Sequence, residues 1–220
     1  MSAISGAKFD DNTNQRTPCV LVLDASTSMN SDNKIGLLNS GIVQFAQDLR
    51  DDSVAKGRVQ ICVIKVTDTA EVIVPWCDAE QFSPPTLEAD GLTALGEGVQ
   101  LGLDLIETQK AEYRNYGIPY TRPWLFIITD GEPTDDNWQQ AAANARTAEA
   151  AKKVLVWPFC VEGADIDVLR QFSSINKPFL IKDKKFKEFF RWLSASTTAA
   201  SQSAPGTQVQ LPSNPFLVTV

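Results

Sequence analysis

Asp24, Ser26 and Ser28 alternate along the segment Asp24-Ala25-Ser26-Thr27-Ser28, directly after the apolar run Val20-Leu21-Val22-Leu23. A carboxylate and two hydroxyls are hard oxygen donors, the kind that small divalent cations prefer. At the mouth of a strand they could converge on one ion. Two other segments offer matching oxygens: Thr93 in the turn Asp90-Gly91-Leu92-Thr93, and Asp130 in Thr129-Asp130-Gly131-Glu132-Pro133-Thr134-Asp135, which follows a second apolar run, Trp124 to Thr129. Two carboxylates and three hydroxyls, with water in the remaining positions, suit octahedral coordination of Mg²⁺ or Mn²⁺. The chain has no histidine. That excludes Ser-His-Asp and Cys-His catalysis and removes the commonest zinc ligand, so any metal here must be held by oxygen. The four cysteines show no CxxC spacing, and Cys19, Cys62 and Cys160 fall in apolar runs where cysteine acts as a small hydrophobe.

Such donors need a scaffold that ends several strands side by side. Strand-like and helix-like segments alternate through the chain. Pro18 to Asp24 reads as a buried strand; Ile35, Leu38, Ile42, Phe45 and Leu49 mark an amphipathic helix with Asp32 or Asn33 as N-cap. Arg58 to Val66 and Glu71 to Trp76 are β-branched runs joined by a short turn, which predicts an antiparallel hairpin. Leu95, Val99, Leu103 and Ile106 mark a helix whose Gly96, Gly98 and Gly102 each cost about 1 kcal/mol against alanine, a cost that close packing on the sheet would offset. Trp124 to Thr129 is a strand, Ala141 to Ala151 an Ala-rich helix, Val154 to Val161 a strand, and Asp165 to Phe172 a short helix. Pro178 to Ile181 reads as a short edge strand, and Phe186, Phe189, Phe190 and Leu193 line the last helix.

This alternation predicts the α/β class: a mostly parallel sheet with one antiparallel edge strand and helices on both faces. In such sheets ligands bind beyond the carboxyl ends of the strands, where the three oxygen-bearing loops would gather. The organisation reads as a polar N-terminal segment (1–17), one domain (18–195), and a Ser/Thr/Pro-rich tail (196–220) that either packs as an extended arm or is mobile.

The net charge of −7 argues against nucleic acid as a partner, since phosphate binding needs clustered Lys and Arg. The one basic cluster, Lys182 to Lys187, is short and interrupted by Asp183, and reads as a solvated helix start. No stretch approaches the roughly 20 apolar residues that span a bilayer. Met1 to Thr17 lacks the order of a signal peptide, which points to the cytoplasm.

The set Asp24, Ser26, Ser28, Thr93 and Asp130 resembles the metal-ion-dependent adhesion site of von Willebrand factor A (VWA) domains, with their Rossmann-like fold: Asp-x-Ser-x-Ser, a distant Thr and a later Asp. The resemblance covers residue 18 to about 195. It implies Ser26, Ser28 and Thr93 as direct ligands, with Asp24 and Asp130 acting largely through bound waters. The segments 110–114, 122–124, 128–135, 161–165 and 190–196 look like those of bacterial TerY-type proteins associated with tellurium resistance, cytoplasmic A domains that accompany protein phosphatases and kinases of stress or defence systems. Two details depart from the family pattern. Thr27 stands where Gly is common, and Leu92-Thr93-Ala94-Leu95 replaces Gly-Thr-Pro-Met.

The function this implies is a non-enzymatic, metal-dependent protein-binding module. The protein ligands of Mg²⁺ (or Mn²⁺) would leave one position open for an Asp or Glu carboxylate of a partner, with Met29, Leu92 and Glu132 as the rim that shapes partner choice. A competing class is a Mg²⁺-dependent phosphoryl-transfer enzyme with Asp24 as nucleophile. Its acid/base position two residues on is Ser26, which lacks the required carboxylate. A metal-free scaffold is the third. Taken singly, each residue has a plainer role: Ser26 and Ser28 satisfying a turn, Thr93 as an N-cap, Asp135 and Asp136 as N-cap and first turn of the next helix, Tyr113, Tyr116 and Tyr120 packed under a loop or forming a partner surface.

Overall fold

The computed structural model describes residues 13–181, 185–207, 209–213 and 217–219. Residues 1–12 of the N-terminal segment, Lys182 to Lys184 of the basic cluster, and Phe216 lie outside them. Among these residues seven strands and six α-helices follow in order. They are β1 (Thr17–Asp24), α1 (Lys34–Asp51), α2 (Ala55–Arg58), β2 (Val59–Val66), β3 (Ala70–Asp78), α3 (Leu95–Asn115), β4 (Trp124–Thr129), α4 (Trp138–Ala150), β5 (Leu155–Cys160), α5 (Ile166–Leu169), β6 (Phe179–Ile181), α6 (Phe186–Gln202) and β7 (Leu217–Thr219). The strands form one sheet in the order β3-β2-β1-β4-β5-β6-β7. All neighbours run parallel except the two outermost pairs, β2 with β3 and β6 with β7.

β1 is buried at every one of its eight positions. Strand side chains alternate between the faces. Cys19, Leu21 and Leu23 accordingly enter the core beneath α1 and α6, with Leu38, Phe45, Phe189 and Phe190. Val20 and Val22 enter the opposite core with Val99 and Leu103 of α3 and Ala142 of α4. Both layers rely on close approach. A Cβ on Gly98 would stand 2.5 Å from Val66 Cγ2, and one on Gly102 2.7 Å from Leu125 Cδ1, so these glycines do bring α3 onto the sheet. Gly96 meets α4 instead, where its Cβ would fall 2.4 Å from Trp138 Cα.

Two expectations change at the far edge. Pro178 to Ile181 is not an edge strand, because Phe179, Leu180 and Ile181 pair with Thr219, Val218 and Leu217. The last helix does not give way to tail near Ser194. It runs to Gln202 and buries Ser196, Thr197, Ala200 and Ser201. Small side chains fit a tight helix interface, and two of the hydroxyls turn back on their own helix: Thr197 Oγ1 donates to Leu193 O at 2.9 Å, Ser201 Oγ to Thr198 O at 2.8 Å.

β1 is flanked by β2 on one side and β4 on the other. The chain therefore leaves β1 toward one half of the sheet and later returns to build the other. The carboxyl ends of β1 and β4 sit at this reversal, where loops diverge and leave a crevice. Among the described residues, no helix is long and apolar enough to cross a membrane.

Candidate metal centre

Asp24 ends β1 and is fully buried. Its Oδ1 accepts the Ser26 N–H at 2.8 Å and its Oδ2 accepts the Thr129 hydroxyl from the end of β4. Burial pushes the Asp24 carboxyl above its ordinary value. Hydrogen bonds from Ser26 and Thr129 oppose the shift, and the charge of Asp130 adds to it. A buried carboxylate next to a second one favours a cation nearby.

The hydroxyls follow in a chain. Ser26 Oγ lies 2.9 Å from Ser28 Oγ, and Ser28 Oγ donates to Asp130 Oδ1 at 2.6 Å. Thr93 is buried, and its hydroxyl makes no hydrogen bond among the described residues. It does not cap α3 either: the N-cap position is Ala94. Gly131 shows where these groups aim. A Cβ built there would stand 3.5 Å from Thr93 Oγ1, 3.7 Å from Ser28 Oγ and 3.9 Å from Asp24 Oδ2. Oxygens from the first two loops thus face one small space beside Gly131 of the third, which its missing side chain keeps open, and Ser28 links them to Asp130.

Backbone hydrogen bonds lash the loops together. Ala25 N donates to Val66 O at 2.9 Å, Asp90 N to Ala25 O at 2.8 Å, and Thr134 N to Thr93 O at 2.9 Å. Thr27, where the family pattern has glycine, donates through both its N–H (3.1 Å) and its hydroxyl (3.0 Å) to Gly91 O, tying the first loop to the second. Asp135 does not start α4. Its carboxylate accepts the N–H groups of Gly96 (3.2 Å) and Glu97 (2.9 Å), capping α3 from the neighbouring loop. That clamp holds the Asp130 loop against the Thr93 loop.

The three residues expected to form the rim differ in exposure. Leu92 is 59% exposed and Glu132 is exposed. Met29 is fully buried in the core under α1, where it anchors the 3-10 turn Thr27–Asn33, and offers nothing to a partner. A thioether that can reach the core gains more by leaving water than by staying at the loop surface. Of the tyrosines, Tyr113 is buried and hydrogen-bonds Gln60 Oε1, whereas Tyr116 is 56% exposed.

Sequence reasoning missed Thr129 and Lys34. Thr129 could have been found, because it closes β4 as Asp24 closes β1, and Leu23 pairs with Ile128 one residue earlier. Lys34 carried no such signal. Its Nζ reaches Asp130 Oδ2 at 2.6 Å from the start of α1.

The donor set fits a hard cation. Among the described residues no group of three or more His, Cys, Asp or Glu side chains is placed to hold a metal, so an ion here needs the hydroxyls as well as the two carboxylates. The sequence profile of the von Willebrand factor type A domain matches residues 19–193. The chain belongs to this family. VWA domains are characteristically interaction modules, and they hold divalent metals at the adhesion-site motif.

Several solved structures share the fold. The VWA protein from Catenulispora acidiphila superimposes with a TM-score of 0.60 at 17% identity, covering 84% of this chain and 43% of that one. The pilus adhesin SpaC from Lactobacillus rhamnosus GG gives 0.69 at 13% identity, over 86% of this chain and 32% of that one. Proximal thread matrix protein 1 from the mussel byssus, described with a zinc-occupied MIDAS motif, gives 0.58 at 14%, over 85% and 49%. The chain thus spans less than half the length of these three proteins. No curated protein matches it in sequence.

Proposed function

We propose that this VWA domain is a metal-dependent protein-recognition module, in which Asp24, Ser26, Ser28, Thr93 and Asp130 hold Mg²⁺ and a partner's Asp or Glu completes the shell. The observation that carries this reading is the convergence of Asp24, Ser28 and Thr93 oxygens from two loops on the space beside Gly131 of the third, with Ser28 hydrogen-bonded to Asp130. When bound, the ion supplies a fixed positive charge that attracts a carboxylate. The chain's own groups do the rest. Thr129 and the Ser26 N–H orient Asp24, Ser28 bridges to Asp130, and the exposed Leu92 and Glu132 flank the entrance.

Nucleophilic use of Asp24 is poorly served. Both of its oxygens already accept hydrogen bonds, and the position two residues on is a serine. The cysteines offer no alternative, since burial pushes Cys77 and Cys160 up to about 11 and Cys62 to about 12. All four thiols are free, which suits a reducing cytoplasm. The TerY-type resemblance supports a setting in bacterial stress response or tellurium resistance, with a protein phosphatase or kinase from the same gene neighbourhood as partner.

Affinity capture with the intact chain and with Ser26→Ala, each in Mg²⁺ and in chelator, tests the reading. Partners retained only by the wild type in Mg²⁺ would support it. The same partners in all four conditions would show that recognition lies elsewhere.

A further inference from the structure

The metal site contains a cation of its own. Lys34 is buried, and its Nζ bridges Asp130 Oδ2 at 2.6 Å and Glu162 O at 2.9 Å. Both partners of the ion pair are shielded, with side-chain exposures of 9% for Lys34 and 0% for Asp130. The backbone takes an unusual path to place it. Asp32 and Asn33, immediately before Lys34, both adopt left-handed conformations (φ 54° and 59°), which non-glycine residues seldom do and which cost free energy. On the far side, Gly163 at φ 105° lets the β5–α5 loop wrap the ammonium. A Cβ there would come 3.7 Å from Lys34 Nζ and 3.4 Å from Asp130 O.

Accepting strained backbone to bury a lysine against a carboxylate calls for a reason in charge. Asp24 and Asp130 place two carboxylates in one buried site, and the nearest cationic side chain is Lys34 on Asp130. Breaking a buried ion pair leaves an uncompensated charge, so Asp130 without Lys34 would be strongly disfavoured whenever no ion is bound.

We propose that Lys34 is a tethered counter-cation of the metal site, which holds Asp130 in position when the ion is absent and competes electrostatically with the ion for that carboxylate. Lys34 is a positioning residue: it acts through Asp130. The inference rests on the metal-binding reading above and adds to it a set point. The site stays organised without metal, and Mg²⁺ binds more weakly than the same five donors would bind it alone. The domain thereby becomes responsive to the concentration of free Mg²⁺ rather than permanently loaded.

The test uses Mg²⁺ alone as the probe, on the intact chain. Calorimetric Mg²⁺ titrations and thermal melts, in chelator and in Mg²⁺, are run on wild type, Lys34→Met, Lys34→Gln and Lys34→Arg. Removing a unit charge a few ångströms from a divalent ion changes its binding by at least about tenfold, even at an effective dielectric near 20. Lys34→Met is expected to melt lower than wild type in chelator, to bind Mg²⁺ at least about tenfold more tightly, and to regain wild-type melting at saturation. Lys34→Gln keeps an N–H donor without the charge and should show the same tightening, which preserves the test if the Met variant does not fold. Lys34→Arg should stay close to wild type in Mg²⁺ affinity.

Neutral variants that lose stability equally in chelator and Mg²⁺, with unchanged affinity, would make Lys34 merely structural and overturn the inference while the metal site stands. If neither wild type nor variants respond to Mg²⁺, the metal-binding reading itself falls, and this inference with it.

Discussion

Gly131→Ala separates the metal site from the fold. The added methyl would lie 3.5, 3.7 and 3.9 Å from Thr93 Oγ1, Ser28 Oγ and Asp24 Oδ2, ordinary contact distances that require no atom to move. Gly131 is not among the glycines with positive φ, so alanine can adopt its backbone. Gly→Ala at a compatible position stabilises by about 0.4–1 kcal/mol through the unfolded chain. For a chain of this size that raises the melting temperature by about 1–4 °C in chelator. In Mg²⁺ the order reverses. The ion needs oxygens at about 2.1 Å in near-octahedral array and keeps several waters, and the methyl fills the space those oxygens share. Wild type at Mg²⁺ a hundredfold above Kd gains about 2.7 kcal/mol, or roughly 5–11 °C; Gly131→Ala should gain almost nothing. Differential scanning calorimetry in the two buffers reads both halves. A variant that keeps the full Mg²⁺ response, or that melts well below wild type in chelator, refutes the reasoning.

The other expectations concern buried carboxylates. Asp24→Asn should abolish the Mg²⁺ shift yet stabilise the metal-free protein near neutral pH, because the amide oxygen can keep the Ser26 N–H bond and the NH2 can donate to a reoriented Thr129 hydroxyl, without the buried charge. The sign follows from the raised Asp24 carboxyl: its ordinary value is 3.8, and the folded state holds the proton to higher pH. The contribution of Asp24 to metal-free stability is therefore full below about pH 4 and declines as pH rises through the elevated folded value. Urea unfolding across pH in chelator should show that decline in wild type and lose it in Asp24→Asn; identical slopes would contradict the account. Glu149→Ala should destabilise by about 3 kcal/mol or more without altering the Mg²⁺ response. Glu149 is almost fully buried and accepts from Val156 N (3.0 Å), Ser173 Oγ (2.8 Å), Ser174 N (2.8 Å) and Ile175 N (3.2 Å), pinning the loop before β6. Urea midpoints with and without Mg²⁺ check it.

Much of this architecture can be read along the chain because the signals are local. β1 and β4 are uninterrupted apolar runs, since both faces of a central parallel strand are covered. The β2–β3 hairpin follows from two β-branched runs and a short turn, and the α3 glycines announce close packing before any neighbour is known. Legibility fails where burial or pairing depends on a distant segment. Met29 lies in a polar stretch, and only the packing of α1 draws it inward. The Ser/Thr-rich end of α6 has the composition of a tail, and α1 makes it a buried helix face, with Ser194 Oγ donating to Asp48 Oδ2 at 3.0 Å. β6 lacks any mark that a strand thirty-odd residues later will cover it.

At the site the division is the same. Residue type and order alone determined the chemistry available: oxygen without nitrogen, two acids, three hydroxyls, each at the end of a strand or the start of a helix. The tertiary structure decided how those groups are held. The reversal of strand order at β1 brings the loops together, Asp135 reaches across to cap α3, and two left-handed residues swing Lys34 onto Asp130. Donor chemistry is a property of side chains and survives in a string of letters. Charge balance in a buried pocket depends on which groups share the same few ångströms, and only the folded chain determines that.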